Sequence, residues 1–359
     1  MRPRSYLKPT GFVDAPFGHD GRVARLAGGL CWFGLVELIR EEGGRIVSRE
    51  LLPVAEAEAR LPPELAETWA RLLASRAPLR LGERVVRLDQ PQVAGVLNVT
   101  PDSFSDGGTH RTADAAADAG FAMLAQGAAV VDVGGESTRP GAAAVWEGDE
   151  LARVLPVVER LARGGAAVSV DTRKAGVMEA ALARGAAMVN DVSALRWDER
   201  AAQVVARAGC ALVLTHHQGT PETMQRSPSY DRPVELAVFD WLEERVAAAE
   251  AAGIARERCV VDPGIGFGKT VGHNLQLLNN LSLLHGLGCA VMLGASRKRF
   301  IGALDDEAPV ERRLGGTVAA TALAAQQGVQ LHRVHDVGEA VQALRVWRGM
   351  RDRALTPGA

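Results

Sequence analysis

The sequence predicts an α/β fold, an eight-stranded (β/α)8 TIM barrel with a small N-terminal α+β appendage. From residue 93 onward, eight apolar runs alternate with helix-like segments. Most of these runs are unbroken and rich in Ala and Val, which is typical of parallel strands buried on both faces. Each run closes with a polar side chain, and this pattern indicates a site on one rim of a barrel. A doubly wound open sheet is the alternative, because periodicity alone does not establish closure.

The predicted strands and helices of the barrel follow one another at regular intervals. Short turns between alternating strands and helices predict parallel strands joined by crossover helices. The strands are VAGVLN (93–98), AAVVDV (128–133), AAVSVD (166–171), AAMVND (186–191), CALVLTH (210–216), CVVDP (259–263), CAVMLGAS (289–296) and QLHRVHD (330–336). The helical segments are 112–126, 147–163, 173–184, 198–208, 233–252, 272–285 and 310–327.

The first ninety residues do not follow this alternation. Residues 30–41 look like an amphipathic helix, 45–54 like one or two strands, and 62–76 like another helix. We therefore expect an α+β extension of unassigned role over residues 1–90, the barrel over 91–350 and a C-terminal tail over 351–359. A stabilising or oligomerising role is the simplest interpretation of the extension.

Composition narrows the classes of protein to which the chain can belong. It has 359 residues, 47% of them hydrophobic, and a formal net charge of -2, which suits a soluble globular protein and gives no electrostatic case for a nucleic-acid partner. No targeting signal and no membrane span is apparent, because the most apolar early stretch is far shorter than ~20 residues. The four cysteines show no CxxC or Cys/His metal spacing. We expect reduced thiols and a cytoplasmic location.

Three polar residues close the third, fourth and sixth predicted strands: Asp171, Asn190 and Asp262. In a barrel they would meet on one pocket floor. Carboxylates beside an amide suit a flat heterocycle with adjacent N–H donors, because two parallel hydrogen bonds fix its orientation. The alternative is that each caps the next helix, and Asp171 before Thr172 fits that role as well. The three together favour a ligand.

Three loops add groups suited to an anion or a planar ligand. GGESTRPGA (134–142) offers the hydroxyls of Ser137 and Thr138 and a guanidinium on Arg139. DPGIGFGK (262–269) is one residue short of a nucleotide-binding loop, and we expect it to place Phe267 over a planar substrate. The cations of SRKR (296–299) and the end of RVHD (333–336) follow strands seven and eight, where barrels often hold phosphate.

Together these segments resemble the dihydropteroate synthases of bacterial folate synthesis, from about residue 93 to 348. The resemblance rests on LNVTPDSFSDGG (97–108), DVGGESTRPGA (132–142), VDT (170–172), ND (190–191), DPGIGFGK (262–269), SRKRFIG (296–302) and RVHDV (333–337), in the family's order. It implies an eight-stranded barrel that condenses 6-hydroxymethyl-7,8-dihydropterin diphosphate with 4-aminobenzoate to give 7,8-dihydropteroate and diphosphate. It also implies magnesium (Mg2+) as cofactor and a homodimer.

Carried over position by position, the resemblance implies three groups of site residues. The pterin would contact Asp171, Asn190, Asp262 and Lys298. The diphosphate and the metal would be held by Asn98, Asp132, Arg139, Arg333 and His335, with Asn98 as the metal ligand. The aminobenzoate would be bordered by Thr138, Pro140, Phe267 and Arg299, while the first loop would close with Asp102 and Asp106. The residues expected to act in the reaction itself are Asn98, Asp102, Asp106, Arg139, Lys298 and His335.

Two features depart from the family pattern, and two other functions compete. His217 stands where an apolar wall residue of the pterin pocket is usual, and the extension over residues 1–90 is longer than compact members need. A methyltransferase that uses methyl-tetrahydrofolate with a corrinoid protein partner would explain Asp171, Asn190 and Asp262 but not the cations suited to diphosphate. A non-catalytic pterin-binding paralogue would be expected to lose residues of the first loop or the rim, yet these are intact.

Overall fold

A computed structural model describes residues 3–99, 109–136, 145–220 and 223–356, with side chains of the third helix given from residue 113. The extension contains an antiparallel sheet, two short helices and a hairpin. Its strands are β1 (Arg4–Val13), β2 (Ala24–Arg25), β3 (Trp32–Glu42) and β4 (Arg45–Pro53), and those of the hairpin are β5 (Leu79–Leu81) and β6 (Arg84–Val86). Its helices are α1 (Val54–Arg60) and α2 (Ala66–Leu73), preceded by the 3-10 turn Pro63–Leu65.

The predicted helix over residues 30–41 is wrong, because this segment forms β3 at the centre of the sheet, paired with β1, β2 and β4. Phe33, Val36 and Ile39 on β3 are fully buried, and burial on both faces removes the two-residue alternation that identifies a strand. The signal that was missed is the Gly43-Gly44 pair, whose positive φ angles of 58° and 83° suit a tight hairpin turn. The strand predicted over 45–54 and the helix predicted within 62–76 are confirmed.

All eight predicted barrel strands form, and every pair between neighbours is parallel. Because the first strand pairs with the last, the sheet is a closed barrel and the open-sheet alternative is excluded. The strands are β7 (Gln92–Asn98), β8 (Val130–Gly134), β9 (Val168–Asp171), β10 (Met188–Asp191), β11 (Ala211–Thr215), β12 (Cys259–Asp262), β13 (Ala290–Leu293) and β14 (Leu331–Val334).

Each of the seven predicted helical segments contains a helix, and the helices Arg299–Leu304 and Val337–Leu355 were not predicted. The last helix crosses the predicted boundary at residue 350. The helices are α3 (Thr109–Gln126), α4 (Glu147–Arg163), α5 (Ala175–Ala183), α6 (Ala201–Ala208), α7 (Val234–Ala251), α8 (Val271–Leu278), α9 (Arg299–Leu304), α10 (Leu314–Gln326) and α11 (Val337–Leu355). Short 3-10 segments occupy Arg256–Arg258, Leu281–Leu287 and Val310–Arg312. Within the described ranges, no helix is long and apolar enough to cross a membrane.

The extension shares its core with the barrel. Tyr6 on β1 packs edge-on against Phe239 of α7, with ring centroids 5.7 Å apart. Leu7 and Phe33 belong to a second buried cluster that includes Trp347 of α11. The β5–β6 hairpin closes the amino-terminal end of the barrel, where its buried residues pack on the small and medium-sized residues of the lower interior. Burial of apolar surface therefore joins residues 1–90 to the barrel on its side and at its base.

Removing the side chain of Leu81 should destabilise the barrel through its base. Leu81 is fully buried in the cluster that fills the lower interior. We expect Leu81→Ala to lower the free energy of unfolding by about 2–5 kcal/mol, since truncation leaves a cavity that the neighbours do not fill.

The matched control is Val85→Ala in the same hairpin, because the Val85 side chain is exposed. It should cost about 0.5 kcal/mol or less. Urea unfolding of both variants makes the comparison, and an equal loss for the two would show that the hairpin does not close the barrel.

Candidate active site

The polar side chains of the site enter the barrel because strands alternate their faces. Each lies two or four residues beyond an inward-facing residue of the lower interior and therefore faces the same way. In β9, for example, Asp171 lies four residues beyond Ala167, and in β10 Asn190 lies two beyond Met188. The structure brings together Asp132 of β8, Asp171 of β9, Asn190 of β10, Asp262 of β12 and Arg333 of β14.

Arg333 connects the members of this group through hydrogen bonds. Its Nε donates to Asp132 Oδ2 at 2.6 Å and its Nη2 to Asp171 Oδ2 at 2.6 Å. Asn190 Nδ2 also donates to Asp132 Oδ2, at 2.9 Å. The guanidinium thus joins Asp132, which we expect at the diphosphate, to Asp171, which we expect at the pterin. Asp171 is held across the barrel by this ion pair. In the turn before α5, the Lys174 backbone N–H donates to the side chain of Thr172 and not to Asp171.

Three acceptor atoms in this floor have no hydrogen-bond partner among the described residues: Asp132 Oδ1, Asp171 Oδ1 and Asn190 Oδ1. All three are buried. A buried acceptor that is left unpaired costs about 1–3 kcal/mol, so native structures rarely keep several together without a use for them. The floor is therefore prepared to receive a planar ligand with several N–H donors.

Burial and charge set the ionisation of the floor. Loss of water raises the pKa of Asp171 to about 7, against the opposing effect of Arg333, and the nearby carboxylates of Asp132, Glu150 and Asp191 raise it further. Burial likewise raises the pKa of Asp262, while Lys298 and Arg333 oppose that rise. Burial acts to lower the pKa of the Arg333 guanidinium, but the carboxylates of Asp132 and Asp171 outweigh it and raise that pKa, so Arg333 stays charged.

Asp262 organises the loop that follows β12 as well as the floor. Its Oδ1 accepts from the Gly264 backbone N–H at 2.7 Å, and its Oδ2 from Gly294 N–H at 3.1 Å. Gly264 has φ +66°, and a Cβ there would lie 1.8 Å from the carbonyl oxygen of His216. Only glycine fits this position.

We call residues 263–270, between β12 and α8, the sixth loop. Lys269 in this loop binds groups of the protein and not phosphate. Its buried Nζ donates to the carbonyl oxygens of Gly264 at 3.0 Å and Phe267 at 3.1 Å, and lies 2.8 Å from His216 Nδ1. Burial lowers the pKa of His216, so the imidazole is neutral and its Nδ1 can accept. Burial also lowers the pKa of Lys269 well below its ordinary value. The three contacts of its Nζ fix the sixth loop as a tight turn.

Phe267 projects from this loop next to Lys298, whose Nζ lies 4.1 Å from the centre of the ring. The other two cations of the SRKR segment lie near acidic side chains. Arg297 pairs with Asp336, and the side chain of Arg299 is 79% exposed, 3.9 Å from Glu307. Of the three cations, Lys298 is the one that the structure sets beside the aromatic ring.

The remaining predicted residues divide into those that the structure describes and those outside it. Asn98 ends β7, and a Cβ on Gly134 would lie 3.7 Å from Asn98 Oδ1. His335 follows β14, with its Nδ1 3.1 Å from Ser296 Oγ. The residues that lie outside the described ranges are Asp102, Asp106, Thr138, Arg139 and Pro140.

We call residues 135–146, between β8 and α4, the second loop, of which 135–136 and 145–146 are described. A buried ionic cluster that the sequence analysis missed lies at its base. Glu136 accepts from Arg173 Nη2 at 3.0 Å, from Lys174 Nζ at 3.1 Å and from the Val145 backbone N–H at 3.0 Å. Lys174 also pairs with Glu150 of α4. Burial acts to raise the pKa of Glu136, but the hydrogen bonds from Arg173 and Val145 and the charges of Arg173 and Lys174 outweigh it and lower that pKa. The residues are separated in sequence and carry no motif, so only the fold reveals them.

His217, the departure noted in the sequence, turns toward α7. Its ring lies 5.6 Å from that of Trp241, nearly perpendicular to it. Together with Arg196, Trp197 and Tyr230, it lines a groove of about 510 Å3 beside the barrel mouth. Burial lowers the pKa of His217, which keeps the imidazole neutral near pH 7.

Comparisons with known proteins by sequence and by structure agree on the family of this chain. The sequence model of a family described as "Pterin binding enzyme" matches residues 94–335. The dihydropteroate synthase of Escherichia coli is 46% identical over 260 residues, which cover 72% of this chain and 91% of the relative. The chain belongs to the dihydropteroate synthase family.

Solved structures of this family have the same fold. A dihydropteroate synthase of Xanthomonas albilineans with 4-aminobenzoic acid has a TM-score of 0.72 and 48% identity, covering 77% of this chain and 99% of the other. The same organism's enzyme in complex with 7,8-dihydropteroate has a TM-score of 0.69 and 45% identity, covering 76% and 98%. The match of the pterin-binding family begins at residue 94, so the extension lies before it.

Removing Arg333 should make stability depend strongly on pH. Arg333→Met leaves two buried carboxylates without their cation, which costs about 3–5 kcal/mol in comparable buried pairs. The pKa of Asp171, already raised, should rise further. A raised carboxyl pKa means that the folded state binds protons more tightly than the unfolded chain, so stability falls as pH rises. We therefore expect the loss of stability relative to wild type to be larger at pH 8 than at pH 6, measured by urea unfolding.

Arg297→Met provides the control, since it removes the more exposed ion pair with Asp336. Its loss should be small and similar at both pH values. Equal losses at pH 6 and pH 8 for Arg333→Met would contradict the account of the floor.

Proposed function

We propose the following roles for the site residues in the reaction of this enzyme, the condensation of 6-hydroxymethyl-7,8-dihydropterin diphosphate with 4-aminobenzoate to 7,8-dihydropteroate and diphosphate. The observation that carries the proposal is the set of three unpaired buried acceptors beside Arg333. A pterin presents adjacent ring N–H and amino donors along one edge. Such an edge matches carboxylate and amide oxygens held at fixed positions.

The pterin is held by Asp171, Asn190 and Asp262, with Lys298 beside the ring system. Asp171 and Asn190 supply the unpaired oxygens, and Asp262 stands two strands away with both its oxygens anchored by backbone N–H groups. Arg333 keeps Asp132 and Asp171 in place before the ligand arrives. A floor whose groups do not need to reorganise binds its ligand at lower cost.

The diphosphate is held at the mouth, above this floor. Its charges call for cations and donors, and Arg139, His335 and Asn98 are the residues that we assign there, with Ser296 orienting the His335 ring. The amide oxygen of Asn98 lies next to Gly134, which has no side chain to fill the space beside it. Mg2+ commonly takes only one or two ligands from the protein and the others from phosphate and water, and the Asn98 oxygen fits that pattern. Bound there, Mg2+ would neutralise charge on the leaving group.

Catalysis by these residues depends on position and charge and not on a strong base. Departure of diphosphate from the pterin methylene carbon leaves an electron-poor centre, which the amine nitrogen of 4-aminobenzoate then attacks. The residues supply electrostatic support for the leaving group and hold the amine in line. Phe267 borders the aminobenzoate ring, together with Thr138, Pro140 and Arg299. The first loop, with Asp102 and Asp106, closes on both substrates and excludes water.

Two further features of the enzyme belong to the proposal. The chain acts as a homodimer, and apolar side chains exposed on α9, the 3-10 turn after it and α10 support such contact: Leu304, Val310 and Leu323. It works in the cytoplasm, and four buried free cysteines suit a reducing compartment. Sedimentation equilibrium checks the first statement, and a single species of 38.0 kDa would contradict it.

Replacing Arg139 should remove turnover while leaving the pterin bound. Arg139→Ala is expected to lower kcat by roughly 100-fold or more, because the leaving group loses a cation. Binding of a pterin without its diphosphate, measured by calorimetry, should stay within about twofold, since the floor is untouched. The control is Arg163→Ala, which removes an exposed arginine paired with Glu159 on α4. Unchanged turnover in Arg139→Ala would remove Arg139 from the site.

The reaction itself is tested by diphosphate release from the purified chain given the pterin diphosphate and magnesium, with and without 4-aminobenzoate. Release that depends on 4-aminobenzoate and yields dihydropteroate is the expected result. Tight pterin binding without product would favour the non-catalytic paralogue.

A further inference from the structure

The N-terminal extension contacts the loops at the barrel mouth, far from its own packing at the base. We call residues 216–233, between β11 and α7, the fifth loop, of which 216–220 and 223–233 are described. Arg232, near the end of this loop, donates from Nη2 to Glu41 Oε2 of β3 at 2.6 Å. Its Nη2 also donates to the hydroxyl of Tyr6 on β1.

This contact is sheltered from water. The side chain of Arg232 is 16% exposed and that of Glu41 only 5%, while Tyr6 is almost fully buried. Tyr6 in turn donates to Asp240 Oδ2 of α7 at 2.9 Å, and Arg232 Nη1 donates to the same oxygen at 2.6 Å. Charge-assisted hydrogen bonds with little exposure are the strong ones, so the sheet holds Arg232 firmly.

The hairpin turn between β3 and β4 abuts the same loop. A Cβ on Gly44, which has φ +83°, would lie 3.3 Å from the carbonyl oxygen of Asp231. The extension therefore touches the fifth loop at two consecutive residues, Asp231 through backbone and Arg232 through its side chain. Contact of this kind limits how far the loop can move away from the barrel.

The fifth loop in turn holds the sixth. Tyr230, two residues before Arg232, donates its hydroxyl to the Gly268 carbonyl oxygen at 3.1 Å, and Gln225 donates to the Gly266 carbonyl oxygen. The backbones approach so closely that a Cβ on Gly268 would lie 2.5 Å from the carbonyl oxygen of Gln218. Gly266, Phe267 and Gly268 are consecutive, so both neighbours of Phe267 are bound by the fifth loop.

We propose that Tyr6 and Glu41 of the extension are positioning residues, which act through Arg232 and Tyr230 to fix Phe267 over the substrate site. This inference rests on the proposed role of Phe267 at the aminobenzoate ring. It assigns the extension a part in substrate binding in addition to the packing at the side and base of the barrel. The extension lies before the matched family region, which begins at residue 94, so this support is additional to what the family segment provides.

The double variant Tyr6→Phe/Glu41→Gln tests the inference with little change of shape. It removes the hydrogen bonds of the Tyr6 hydroxyl with Arg232 and Asp240, and it removes the charge of Glu41, so that the bond from Arg232 to residue 41 loses its ionic character. It leaves the pair between Arg232 and Asp240 and the ring contact of residue 6 with Phe239. The KM for 4-aminobenzoate should rise roughly 3- to 10-fold with kcat within about twofold, a size usual for couplings through intermediate residues. Affinity for the pterin should be unchanged, because Asp171 and Asn190 stand on strands.

The matched control is Arg76→Gln, which weakens a different junction between the extension and the barrel. Arg76 donates to the carbonyl oxygens of Cys289 at 3.0 Å and His285 at 2.9 Å, near the base. Thermal unfolding of both variants measures how much stability each loses. An equal rise in KM for the control would show that the effect is general destabilisation, and it would overturn the inference.

Amide hydrogen exchange of the full-length chain gives a readout that does not depend on the role of Phe267. Exchange over residues 264–269 should be faster in the double variant than in wild type or Arg76→Gln. Unchanged exchange there would overturn the inference. Faster exchange with an unchanged KM would also overturn it, provided that Phe267→Ala itself raises the KM. If Phe267→Ala leaves the KM unchanged, the assignment of Phe267 is wrong, and exchange alone decides whether the extension fixes the loop.

Discussion

The ion pair of Arg333 with Asp132 and Asp171 is the interaction on which the site depends. It spans strands β14, β8 and β9 across the barrel interior and brings two carboxylates within reach of one guanidinium. Without the cation, two buried carboxylates could not both ionise at low cost. With it, each carboxylate uses one oxygen for the arginine and keeps the other for a ligand. Stability of the floor and its capacity to bind therefore come from the same contact.

The rest of the molecule supports this floor in layers. Apolar residues fill the interior below it, and the β5–β6 hairpin closes the base. At the mouth, Asp262 and Lys269 fix the sixth loop from within, while the fifth loop holds it from outside. Glu136 joins residues at the two ends of the second loop, since it accepts from the Val145 backbone. Among the described residues, buried polar side chains thus support the second loop through Glu136 and the sixth loop through Asp262 and Lys269.

The barrel could be predicted from the sequence because its signals are local. Eight apolar runs of similar length, the first seven each followed by a helix-like segment, require no knowledge of distant contacts. Asp171, Asn190 and Asp262 could be placed in one floor because strand ends in a parallel barrel meet at the same rim. The β3 strand was missed since its apolar residues are set by burial on two faces, which depends on what packs against it. The Glu136 cluster and the contacts of Arg232 join residues far apart in sequence, so no local sequence pattern predicts them.

The most direct test of this account asks whether the floor recognises the edge of the pterin that carries its ring N–H and amino donors. Calorimetry would compare 6-hydroxymethylpterin with an analogue that carries a carbonyl oxygen in place of the exocyclic amino group. The account predicts that the analogue binds at least roughly 10-fold more weakly, because buried carboxylate oxygens would face another acceptor. Equal affinity for the two compounds would contradict it, since the unpaired oxygens of Asp132, Asp171 and Asn190 would then have no part in recognition.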